Sequence, residues 1–160
     1  MINKIEFDNQ KFITKGIIEF NKDKSVYRAQ QGWIPSNNID LRDELYNIAA
    51  DKHEEFKKKS NTKMNFYDFI YMSCRIPEDT FKKAINGKYK YTRSFLSKYS
   101  VGLKLDIDQA NKLFRCHSGE LNLTNDFDYI IYHALRTKDD IDYFIQETFE
   151  YTGIKLEREK

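Results

Sequence analysis

Only two cysteines are present, Cys74 and Cys116, set far apart and without metal-ligand spacing. That pattern excludes a zinc-binding cysteine framework and makes a disulfide unfavourable, so both thiols are expected reduced and at least partly buried. No apolar run approaches the ~20 residues needed to span a bilayer. The N-terminus has no apolar core of the signal-peptide kind, so the expectation is a cytoplasmic protein without membrane contact. Phosphate-cradling loops and nucleophile elbows are also missing. His53, His117 and His133 have no ligand spacing. Cys116 and His117 are adjacent, but neighbours on a helix point about 100° apart and cannot form a nucleophile–base pair. Asp139, Asp140 and Asp142 lack the glycine and distal glutamate of a calcium loop and suit a helix start instead. Neither an enzyme nor a cofactor nor a metal is expected.

What is present is a folding sequence. Of 160 residues, 40% are hydrophobic and 15% aromatic, enough for one compact domain with a true core despite 32% charged residues. The net charge of +2 conceals an uneven distribution. Residues 57–104 carry 12 basic and 3 acidic side chains, whereas residues 105–160 carry 7 basic and 12 acidic. Residues 1–56 are nearly balanced, with 8 basic and 10 acidic.

The expected fold class is mainly α with a small N-terminal antiparallel β meander. Residues 1–31 read as strands broken by Asp8-Asn9-Gln10 and by Asn21 to Lys24, both of turn chemistry. Gln31 to Asn38 reads as a linker that Trp33 anchors. The organisation expected is an extension over 1–38, a helical domain over 39–120 and a C-terminal helical pair over 121–160. Asp40 or Asn38 can cap a first helix that runs to about Lys59 and closes on Lys57-Lys58-Lys59. Phe66, Phe69, Ile70 and Cys74 mark a second. Thr92, Asp106 or Asp108, and Thr124 can cap later helices, and Thr137 with Asp140 resembles a capping box.

One stretch stands out. In Ile76 to Lys88, Pro77 can take the first helical position, Glu78 and Asp79 lie in the first turn, and Lys82 and Lys83 lie near the end. Phe81, Ala84 and Ile85 form the apolar stripe, and Gly87 supplies a left-handed stop. This stretch resembles the recognition-helix signature of the phage-repressor-like (Xre-type) helix-turn-helix family, and the resemblance extends over residues 40–120. Asn122 to Phe149 is similar to a tail of some bacterial repressor-like proteins. The chain departs from the family in the preceding helix, where Tyr67, Tyr71 and Arg75 replace the usual Gln, Ala and Gly.

The resemblance implies a helix-turn-helix bundle that reads double-stranded DNA as a small bacterial or phage transcriptional regulator, acting as a dimer. Glu78, Asp79, Lys82 and Lys83 would face bases, with Lys82 rather than Lys83 pointing into the groove. Asn86 joins them at the helix end, while Lys88, Lys90, Thr92 and Arg93 would suit phosphates. On this reading Tyr71 lies along the helix pair. The alternative is a protein-interaction module on the same scaffold, such as a phage or mobile-element inhibitor of a host protein. There Tyr67 and Tyr71 would be exposed as a partner patch, or the acidic C-terminal helices or N-terminal sheet would hold the partner.

Overall fold

In a computed structural model, which describes residues 40–156, the Asp40 side chain accepts the Arg42 N–H at 2.9 Å and starts helix α1 (Leu41–Ser60). Six more helices follow: α2 (Phe66–Cys74), α3 (Glu78–Ile85), α4 (Arg93–Gly102), α5 (Ile107–His117), α6 (Asp126–Thr137) and α7 (Ile141–Thr152). No strand occurs among the described residues, so the expected class, mainly α with an N-terminal β meander, is corrected to all-α there. Residues 1–31, where the meander was expected, and the linker with Trp33 lie outside the described residues. Among the described residues no helix is long and apolar enough to cross a membrane.

Local chemistry starts nearly every helix. Asn65, Thr92, Asp106, Asn125 and Asp140 each accept a backbone N–H from the first turn they cap. Three expectations shift by a residue or more. Pro77 occupies the cap position of α3 rather than its first turn. Asn125 caps α6 in place of Thr124, whose hydroxyl donates instead to Asn122 Oδ1 at 2.7 Å. Thr137 ends α6 and donates to Asp139 Oδ1 at 2.6 Å, leaving Asp140 to cap α7 alone. The reciprocal box forms at Asp106 and Gln109, where each side chain accepts the other's backbone N–H.

α4 is the central element and packs on α2, α5, α6 and α7. Every residue from Phe95 to Val101 is buried, including the charged Lys98. The Tyr99 hydroxyl donates to the Leu45 carbonyl at 2.5 Å and ties α4 to α1. Where α4 meets α2 there is no room for a side chain: a Cβ on Gly102 would lie 2.4 Å from the Ser73 carbonyl oxygen. Two turns are fastened crosswise. Lys104 Nζ donates to the Lys138 carbonyl at 3.0 Å, and Lys138 Nζ donates to the Lys104 carbonyl at 3.0 Å.

Candidate nucleic-acid interface

The turn Arg75-Ile76-Pro77 joins α2 to α3. Arg75 has φ +57°, the left-handed conformation that glycine adopts most easily, and its N–H donates to the Tyr71 carbonyl at 2.8 Å. Ile76 is fully buried and pins the turn to the core. α3 then buries Thr80, Phe81 and Ala84, with the Phe81 ring stacked 6.3 Å from that of Tyr99. Its other face exposes Glu78, Asp79, Lys82, Lys83 and Asn86. The helical period thus places together the four residues expected to face bases, Glu78, Asp79, Lys82 and Lys83, with Asn86 at the helix end beside them.

Their charges are not equally available. Lys82 Nζ lies 3.6 Å from Glu78 Oε2 and 5.0 Å over the Tyr67 ring. Among the described residues Lys83 has no such partner. The Lys82 ammonium, expected to point into a groove, thus lies against Glu78 on its own helix, and Lys83 stands exposed beside it.

The loop after α3 alternates. Tyr89 and Tyr91 turn inward, with the Tyr89 ring 5.0 Å from Phe95 and the Tyr91 hydroxyl donating to the Ala84 carbonyl at 2.6 Å. Burial pushes the Tyr91 phenol up to about 12. The Tyr91 carbonyl accepts from His117 Nε2 at 2.8 Å, which fixes the proton on that ring nitrogen. Between and before these anchors, Lys88 and Lys90 stand exposed. Gly87, with φ +75°, lets the chain leave the helix, and the Lys88 N–H closes back on the Lys83 carbonyl at 3.0 Å.

Thr92 is exposed, and its hydroxyl accepts the Phe95 N–H at 3.0 Å as the cap of α4. Arg93 departs from its expected role. Its guanidinium binds both Asp128 oxygens, at 3.0 and 2.7 Å, together with Ser118 Oγ and the carbonyls of Gly119 and Glu120. It also lies 4.7 Å over the Phe114 ring. All of its nitrogens are used inside the protein, and Asp128 is only 4% exposed. Arg93 joins α4 to the α5–α6 loop and does not face phosphate.

Sequence reasoning missed Arg42. It begins α1, yet its guanidinium reaches the end of α3, where a Cβ on Gly87 would lie 2.8 Å from Nη1. Asp40 engages it at 3.1 Å, so it adds little free charge. No local spacing identifies such a neighbour, because the contact joins segments distant in sequence.

Comparison with models of protein families, with curated proteins and with solved structures finds no match. The likeness to repressor-like proteins therefore rests on the residues quoted above.

His53 Nε2 lies 2.7 Å from the Met64 carbonyl, and no cluster among the described residues could hold a metal ion. Cys74 is buried, Cys116 is half-buried, and both are free thiols. Tyr67 packs against Phe66 and Phe81, at 5.2 and 6.4 Å between rings. Tyr71 does not lie along the helix pair as expected; it is 51% exposed. With Arg75, Pro77, Asp142, Ile145 and Phe149 it lines a cleft of about 450 Å³ between α2 and α7. Arg75 crosses that cleft to Asp142, at 3.0 and 3.1 Å. This contact holds the Asp142 carboxyl below the usual carboxylate range, through the guanidinium hydrogen bond.

Proposed function

We propose that this protein binds double-stranded DNA through the outer face of α3 and the loop that follows, as a small cytoplasmic transcriptional regulator working as a dimer. One observation carries the reading. Lys83, Lys88 and Lys90 stand exposed on one continuous stretch, free of acidic partners among the described residues, while Phe81, Ala84, Tyr89 and Tyr91 hold that stretch to the core. Ammonium groups on a rigid backbone suit phosphate, because little conformational entropy of the backbone is lost on binding. The reading helix would enter the major groove, and a second copy would take the other half-site. Glu78 is partly neutralised by Lys82, which lowers the repulsion between this face and the phosphates.

The test is a salt titration on duplex DNA. Lys88→Ala with Lys90→Ala should weaken binding to every sequence alike, and the slope of log affinity against log salt should fall by about one per lost contact. An unchanged slope would remove the loop from the interface.

A second reading, a protein-interaction module, is favoured by Tyr71. An aromatic ring half in solvent beside Phe149, itself 49% exposed, resembles the anchor of a partner surface. Absence of duplex binding even at low salt would favour this reading over the first.

A further inference from the structure

We infer that a second cleft, on a different side of α2, binds a small amphipathic anion with an aryl or alkyl body and a single negative head. The cleft has a volume of about 440 Å³, within the range of roughly 300–1,000 Å³ typical of small-molecule sites. It lies between α1, α2, the end of α4 and the start of α7. Its floor is apolar, made by Phe56, Phe69, Leu103 and Ile141, with Met72 at the mouth and more than a third exposed. A floor of this kind holds a hydrocarbon body and gives a polar one nothing to bond.

The charge of the rim sets the head group. Lys52, Glu55 and Lys59 share one face of α1 with Phe56, by their spacing of three, four and seven. Among the described residues neither Lys52 nor Lys59 has a carboxylate within ion-pair distance, although Lys57 on the same helix pairs with Glu54 at 2.8 Å. Lys104 and Asp140 complete the rim, and both are committed: Lys104 to the Lys138 carbonyl, Asp140 to the Asp142 N–H at 2.8 Å. The three lysines against two carboxylates leave one surplus positive charge, carried by the two uncommitted lysines of α1. A monoanion matches it; a dianion would be undercompensated and a cation repelled. This inference does not rest on the DNA-binding proposal, since none of these residues belongs to α3 or its loop.

The experiment uses the full chain and two fluorescent probes, the anion 1-anilinonaphthalene-8-sulfonate and the neutral N-phenyl-1-naphthylamine. The anion should bind saturably at one site. Lys52→Glu with Lys59→Glu, both surface changes, should weaken the anion about tenfold or more while changing the neutral probe about twofold at most. Met72→Trp, which fills the mouth, should abolish anion binding with the helical circular dichroism retained. Equal affinity for the anion in the charge-reversed variant, or undiminished binding in Met72→Trp, would overturn the proposal, as would many weak sites in place of one.

Discussion

Arg93 and Lys83 show what decides whether a cation on this surface is free. Both occur in the basic middle of the chain, and nothing in their local spacing separates them. Arg93 sits one residue after a helix cap and so points back across α4 to Asp128; Lys83 sits opposite the buried stripe of α3. Arg93→Ala should therefore destabilise the fold by about 3 kcal/mol, because it strands a carboxylate that is buried and, among the described residues, otherwise held by one backbone N–H. Urea unfolding would measure this, and DNA affinity on the folded fraction should persist. In the same binding assay Lys83→Ala should cost more than Lys82→Ala, since the Lys82 ammonium is already engaged. Tyr91 adds a pH dependence. Its folded value is raised to about 12, above the ordinary value of about 10 for an unfolded chain. Its contribution is thus complete below about pH 10 and is lost as the pH rises toward about 12. The urea midpoint should fall over that window, and fall less steeply in Tyr91→Phe.

At the scale of the element, much was legible. Helix existence followed from apolar periodicity, and Asp40, Thr92, Asp106 and Gly87 punctuate the chain where their chemistry suggested. What periodicity does not give is the rotation of a helix against its neighbour. Tyr71 occupies the position where the resemblance places a small residue between paired helices, yet Phe69, Ile70 and Cys74 take the interior of α2. The small residue that allows close approach is on α4 instead, at Gly102, and the approach involves the Ser73 and Cys74 backbone. Such a contact has no local signature, because both partners must be known before the need for glycine appears. Gly102→Ala should destabilise by about 1–3 kcal/mol, as expected for overpacking against backbone that cannot step aside. A thermal melt would read it, and a neutral result would mean that α2 and α4 can slide apart.

For the whole molecule, charge distribution was readable and assembly was not. The basic excess over 57–104 does place outward lysines on α3 and its loop, but it also includes Arg93, committed to Asp128, and Lys98, which is buried. Counting charges cannot tell these apart. The tie between Arg75 and Asp142 is a further long-range feature that no pattern announced. It has an unusual consequence for measurement. A left-handed arginine carries roughly 1 kcal/mol of backbone strain that glycine would not. An exposed ion pair returns at most about that much once solvent screens it. Replacing Arg75 by glycine should thus leave the melting temperature almost unmoved while freeing α7 from the turn. A thermometer would record nothing, and only the amides of α7, exchanging their hydrogens faster, would report that two parts of the molecule had let go of each other.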